Sequence, residues 1–372
     1  MKKITILGGG LAGLSLGMSL QKHGIQTKIL DAGKYPRHRV CGEFIAGVSE
    51  TVLADLGIDT FLADAKRHSS MEWWMGNDCV LQESTPTHAY GISRYLLDQR
   101  LADAFVSLGG DLETEQHVEI QEIQDEGWIL ATGKLKKKVI NKSGRKSGKR
   151  WIGLKIHALG IEAEACARGL VMHSSLNSCA NGYLGLCPVE DNRMNCCGLF
   201  ELQNDITPSF AKARWGKHAS DMKVALMMSY AESCGMNALL EWLHDHTFDS
   251  NSFTAIAGFQ LGDQQRLREN LFCVGDAAHL IPPFTGNGMS MALESCAIAS
   301  QKLQKYARGE SGWSTTVGDY RAECKKHFSK RTTLAKVIHP LFFNRIGQST
   351  LKAIARSGFP SFDSLFTLLR TP

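Results

Sequence analysis

Residues 3–20, KITILGGGLAGLSLGMSL, set a short apolar run against a glycine cluster and then a second apolar run at helical spacing. Lys3 to Leu7 reads as a buried strand, and Leu11, Leu14, Leu16 and Leu20 fit one helix. Between them, Gly8 permits a tight turn, Gly10 lets the backbone approach a pyrophosphate, and Gly13 allows the helix to pack closely on the strand. The helix N-terminus, with Leu11 and Ala12 in its first turn, offers unpaired N–H groups to phosphates. A further strand, Thr27 to Leu30, ends in Asp31, about 20 residues on, where a carboxylate would meet ribose hydroxyls. The alternative, a glycine-rich packing turn, leaves that placement of Asp31 unexplained.

A second stretch lies some 260 residues later, LFCVGDAAHLIPPFTGNG at 271–288, leading into an apolar helix from Met289 to Ala299. It resembles the FAD-contacting segment of the flavin monooxygenase superfamily built like p-hydroxybenzoate hydroxylase. The resemblance implies that Asp276 binds the ribityl chain and that Gly275, Pro283, Gly286, Gly288 and Met289 also contact the cofactor. The helix after Gly288 would aim its N-terminal dipole at the electron-rich edge of the reduced ring. His279 would stand near the ring and is the best titratable catalytic candidate; its alternative is a packed or capping histidine. Ser93 to Asp98, SRYLLD, is similar to the family's R-x-x-L-D helix, whose arginine, here Arg94, faces the phosphate and ribityl portion. Ile129 to Gly133, ILATG, is similar to the strand end that closes the FAD domain, with Thr132 and Gly133 at the cofactor. Asp31 replaces the glutamate more common in FAD proteins. The last seventy residues carry no motif.

Tyr35 to Glu43, YPRHRVCGE, resembles the PRxKxCGE loop of the geranylgeranyl reductase branch, and a related loop occurs in flavin-dependent halogenases. Arg37 and Arg39 can meet diphosphate or flavin carbonyls, Gly42 lets the backbone pass the ring, and Cys41 is a cofactor contact and a second catalytic candidate. A solvated basic turn is the alternative. Asn181 to Pro188 and Met194 to Leu199 read as two strands resembling the substrate-domain strands of the same branch. Tyr183, Leu186 and Pro188 are the candidate substrate wall, although strand alternation puts Tyr183 on one face and Leu184 and Leu186 on the other. The halogenase W-x-W-x-I-P element is missing, since Trp73-Trp74 lacks the continuation, and so is the monooxygenase DG motif. No second dinucleotide fingerprint appears, so NAD(P)H is expected as a transient co-substrate.

The 372 residues suggest two domains or one with a large insertion. The resemblance implies an α/β fold: a Rossmann-like FAD-binding domain, discontinuous in sequence (1–68, 91–150, 253–310). A mixed β-sheet substrate domain (69–90, 151–252) is inserted into it, and a helical region (311–372) follows. Much of the formal net charge of +5 lies between Lys134 and Arg150, a solvated loop with an NADPH or acidic-carrier docking surface as its alternative. Nucleic acid is not an expected partner. Eleven cysteines without a CxxC pair point to neither a disulfide framework nor a metal site, and fit a reducing cytoplasm. The two N-terminal lysines and apolar run lack a secretory cleavage pattern, and no uncharged run reaches membrane-spanning length. The helices from Val317 on read as a cap on the core, with a membrane-surface or partner helix as the alternative. The expected activity is flavin monooxygenase-type chemistry on an apolar or aromatic metabolite, a polyketide, quinone or isoprenoid. A geranylgeranyl reductase-like alkene reductase is the alternative; a halogenase and a non-catalytic prenyl-protein escort stand further off.

Overall fold

The computed structural model describes residues 1–119, 123, 126–133, 150–162, 169–176, 180–216, 221–259, 271–278 and 286–357. In chain order the first half gives β1 (Ile4–Leu7), α1 (Leu11–Lys22), β2 (Thr27–Leu30), β3 (Phe44–Ile45), α2 (Glu50–Leu56), β4 (Lys66–Met75), β5 (Asp78–Gly91), α3 (Arg94–Ser107), β6 (Asp111–Glu113) and β7 (Trp128–Leu130). The second half gives β8 (Trp151–Leu159), β9 (Leu170–Ser174), β10 (Gly182–Val189), β11 (Arg193–Glu201), α4 (Pro208–Trp215), α5 (Met222–Ser233) and α6 (Asn237–Asp245). It continues with β12 (Thr247–Phe259), β13 (Phe272–Cys273), α7 (Gly288–Ala307), α8 (Trp313–Ile338), a 3-10 turn at His339–Phe343, and α9 (Arg345–Ser357).

Two sheets organise the described residues. The first, in order β13-β7-β1-β2-β6, is parallel throughout. Such a sheet needs helices on its faces, and α1, α3 and α7 bury Leu14, Leu16, Leu97, Phe105, Leu293 and Leu303 in one core with Ile4, Ile6 and Ile29. Ser93 caps α3 by accepting a hydrogen bond from the Leu96 N–H at 3.1 Å. The second sheet has the order β12-β8-β11-β10-β9-β4-β5-β3, antiparallel except where β4 meets β9. It takes in β3 and the residues of β12 up to Phe259, because β12 stays paired with β8 back to Trp151. It therefore extends past the boundary at 252 read from the sequence.

Period-two alternation divides this second sheet cleanly. Ile152, Leu154, Ile156, Leu184, Leu186, Met194, Cys196 and Phe200 face α5 and α6 in one apolar core with Met227, Tyr230 and Leu239. On the other face, Lys155 and His157 meet Glu43 and His38, while Trp151, Tyr183 and Leu199 pack with Phe343. The C-terminal elements straddle both units: α8 packs Tyr320 and Phe328 into the first core, while Phe342 joins Trp73, Met75 and Val80 of the second sheet. Arg331 of α8 is buried in an ion pair with Glu294 of α7 at 2.7 Å. No described helix is long and apolar enough to cross a membrane.

Candidate functional site

The glycine turn behaves as its spacing requires. Gly8 has φ +108°, and a Cβ there would sit 2.5 Å from the Ala131 carbonyl oxygen. A Cβ on Gly13 would come within 1.9 Å of the Gly8 oxygen. Gly10 differs from both. Its Cβ position meets only two guanidinium nitrogens, Arg94 Nη2 at 3.6 Å and Arg39 Nη2 at 3.8 Å. Gly10 is also the N-cap of α1, with no capping side chain and no acid in the first turn. Two cations and an uncapped helix N-terminus therefore converge on one backbone position, which fits a diphosphate. Arg39 Nε, in one of those two guanidiniums, is a buried donor with no hydrogen-bond partner and adds to that fit.

Arg94 is held by Asp98 through two bonds of 2.7 and 2.8 Å, and Asp98 is fully buried. Arg39 Nε approaches the same carboxylate at 3.5 Å. Asp31 is 4% exposed, with Oδ2 accepting the Gly9 N–H at 2.6 Å and Oδ1 accepting both the Gly33 N–H at 2.7 Å and Arg37 at 2.6 Å. A carboxylate offers about four acceptor sites, so Asp31 divides its capacity between tying this turn and any ribose hydroxyl. The second motif docks here as well: a Cβ on Gly275 would lie 3.0 Å from that of Ala12. Leu11 and Met289 are core residues, while Asp276 is half-buried and Thr132 exposed at the end of the β7 segment, beside Gly133 with φ +70°. Gly286 and Gly288 lie at the start of α7. His279 and Pro283 lie outside the described residues.

Residues 37–43 join the two units. Arg37 and Arg39 turn toward Asp31 and Asp98, whereas His38 and Glu43 turn toward β8. Glu43 is fully buried and accepts hydrogen bonds from His157 Nε2 at 2.6 Å and the Arg94 N–H at 3.0 Å. Lys155, also fully buried, stands 3.3 Å from Glu43 and 3.0 Å from His38 Nδ1. Burial by itself would raise the Glu43 carboxyl, but the His157 hydrogen bond and the Lys155 charge outweigh it and hold it below its ordinary range. Burial, helped by Lys155 and His157, pushes His38 down to about 4, so its neutral ring accepts from the lysine. His38, Glu43 and His157 have metal-ligand types within 4.8 Å of one another. The Lys155 ammonium already supplies the cation there, and the arrangement is a charge-paired cluster. Sequence reading assigned no role to Lys155 and His157. Their signal was the alternation of WIGLKIHAL, which puts Gly153, Lys155 and His157 on one face opposite Leu154 and Ile156.

Beside this cluster lies a cavity of about 130 Å³ whose lining includes Cys41, Gly42, Met172, Tyr183, Gly185 and Gly286. It brings the PRHRVCGE loop, the second flavin motif and the inner face of the second sheet onto one space. Gly185 leaves that space open, since a Cβ there would meet only the Cys197 oxygen, at 3.9 Å. Tyr183 lines this cavity, whereas Leu186 and Pro188 do not. Leu186 points to the opposite face, into the core under α5 and α6. The Pro188 carbonyl is engaged by His68 at 2.9 Å. Burial pushes the Cys41 thiol above its ordinary range, with the Arg94 charge opposing. Cys41 is thus a soft neutral wall group. Cys41→Ser should retain FAD and change turnover or substrate affinity, whereas Arg39→Ala should weaken FAD binding about tenfold, the loss of one charge-assisted contact. Fluorimetric FAD titration of both variants checks this, and equal affinity for Arg39→Ala and wild type would remove the loop from the cofactor site.

The FAD binding domain family matches residues 1–137 and 237–335, more than half of the chain. Menaquinone reductase of Mycobacterium tuberculosis is 21% identical over 385 residues, covering 95% of this chain and 88% of that one. Conditioned medium factor receptor 1 of Dictyostelium discoideum is 22% identical over 347 residues, 81% of this chain. The match spans 62% of that receptor, less than two thirds of its length. A flavoprotein/dehydrogenase structure from Cytophaga hutchinsonii shares the fold with TM-score 0.71 at 15% identity, over 99% of this chain and 92% of that one. With the diphosphate cradle and the second motif docked on α1, the chain belongs to the FAD binding domain family.

Proposed function

We propose that the chain performs monooxygenase-type redox tailoring of an apolar or aromatic metabolite, a quinone, polyketide or isoprenoid, with NAD(P)H as electron donor. One observation carries the reading: the described lining of the cavity between the PRHRVCGE loop and Gly286 consists of apolar side chains, sulfur, glycine and Tyr183, with no carboxylate, lysine or histidine among these described residues. Such a wall accepts apolar surface at a gain of roughly 25 cal/mol per Å² and offers no counter-charge to an ionic ligand among the described residues. Bound FAD would supply two-electron chemistry, with or without dioxygen. Arg39, Arg94 and the first turn of α1 would hold its diphosphate, and the loop at Cys41 and Gly42 would separate it from bulk water.

Reduction of a carbon–carbon double bond is the second reading. Cys41 of the reductase-like loop stands in the cavity wall, and menaquinone reductase is similar along 95% of the chain. Anaerobic reduction of the FAD-loaded enzyme, then labelled dioxygen, with and without a short-chain quinone or an isoprenoid alcohol, separates the two. Labelled oxygen in the product is the expected result. A product that gains two hydrogens without oxygen supports the reductase. Gly185→Phe should abolish either reaction while FAD stays bound; unchanged turnover in that variant would take the substrate out of this cavity.

A further inference from the structure

The C-terminal elements carry a charge pattern that the flavin chemistry does not use. From Lys325 to Ser357 the chain holds eight lysines and arginines and no aspartate or glutamate. On α8, Lys326, Lys330, Thr333 and Val337 are spaced i, i+4, i+7 and i+11, so they share one face, and all four are exposed. Lys325 and Lys336 flank that stripe and are exposed too. The stripe ends in Val337, 62% exposed, and Ile346 at the start of α9 is 81% exposed. Apart from Met1, these are the two most exposed large apolar side chains among the described residues. Both flank the His339–Phe343 turn. On the inner side of that turn, Phe343 packs on Trp151, ring centroids 4.9 Å apart, in a cluster with Tyr183 and Leu199. Tyr183 and Leu199 are walls of the cavity.

We propose that the exposed face of the C-terminal half of α8, from Lys326 to Val337, with Ile346 beyond it, is a docking surface for an anionic lipid bilayer, placing the cavity one side-chain layer behind the lipid contact. Lysines without intervening acids complement anionic headgroups. Two isolated apolar side chains beside them gain by entering the headgroup and acyl boundary, a gain that a phosphate backbone or an acidic protein surface does not offer. An apolar molecule dissolved in lipid would then reach the cavity without crossing water. Docking goes beyond the proposed reaction and is read without substrate or electron donor, so failure of either leaves the other standing.

The test is co-sedimentation of the FAD-loaded full chain with vesicles of phosphatidylcholine alone and with an equal part of phosphatidylglycerol. Wild type is expected to bind the phosphatidylglycerol vesicles at least about tenfold more tightly, with binding weakened by salt. Lys326→Glu with Lys330→Glu, and separately Val337→Asp with Ile346→Asp, should each lose at least about tenfold in binding. Flavin content and melting temperature of both variants should stay at wild-type values, since all four side chains are exposed. Equal binding to both vesicles, no binding to either, or full binding by both double variants would overturn the proposal. So would binding of duplex DNA or an acidic carrier protein as tight as that of phosphatidylglycerol vesicles.

Discussion

Glu43→Gln is expected to lower the unfolding free energy by about 3–5 kcal/mol, the cost of leaving one member of a buried ion pair without its counter-charge. The substitution keeps the shape and keeps an acceptor for the Arg94 N–H, but it strips the charge from a carboxylate set against Lys155 and His157. Lys155 is fully buried on β8 and has no water to fall back on. Glu43 also holds φ at 55°, a left-handed conformation that costs a non-glycine residue about 1–2 kcal/mol, which the three contacts to its carboxylate offset. Lys155→Met in the Glu43→Gln background should recover part of the loss, because the two sites couple. Urea unfolding of the four-member cycle measures it; a cost below about 1 kcal/mol, typical of an exposed pair, would refute the buried-pair account.

The same cluster fixes the sign of the pH dependence. The Glu43 carboxyl is held below its unfolded value of about 4.3, so its contribution is present above that pH and is lost as pH falls through the lower folded value. His38 is depressed to about 4 from its ordinary 6.5, so the unfolded chain binds its proton first and stability already declines as pH drops below about 6.5. Both groups steepen the acid limb. Glu43→Gln should remove the carboxylate part of that limb and leave the His38 part between about pH 6.5 and 4.

Much of the fold was legible because its signals are local. The strand, turn and helix from Ile4 to Lys22 follow from apolar spacing, from Gly8 and Gly13, where a side chain would meet backbone, and from Gly10, which leaves the helix N-terminus open. The faces of β10 followed from period two, and the two candidate wall residues set against that period, Leu186 and Pro188, do not line the cavity, Leu186 lying in the opposite core. What stayed hidden depends on contacts across long stretches of chain. Glu43 is 114 residues from His157, so WIGLKIHAL shows a polar face and nothing of its partner. The helices from Val317 on were legible as a cap with a membrane-surface alternative, but which of their basic residues lie on an exposed face depends on the packing of the helices.

Gly10→Ala carries the second large effect, and it tests the central claim. At φ −91° an alanine fits the backbone, and its Cβ would touch nothing closer than Arg94 Nη2 at 3.6 Å. The fold should therefore survive. The methyl would occupy the approach to the α1 N–H groups and the two guanidiniums, removing two charge-assisted hydrogen bonds at about 1.5 kcal/mol each, or roughly a hundredfold in FAD affinity. Gly13→Ala, 1.9 Å from the Gly8 oxygen, should instead fail to fold and so marks the difference between a packing glycine and a ligand glycine. The most direct measurement is titration of FAD and of FMN into flavin-free wild type and Gly10→Ala. The prediction is tight binding of FAD and not of FMN by wild type, with a folded Gly10→Ala protein that binds FAD about a hundredfold more weakly; a well-folded wild type that takes up no FAD, or a Gly10→Ala variant that binds it as wild type does, would contradict the account.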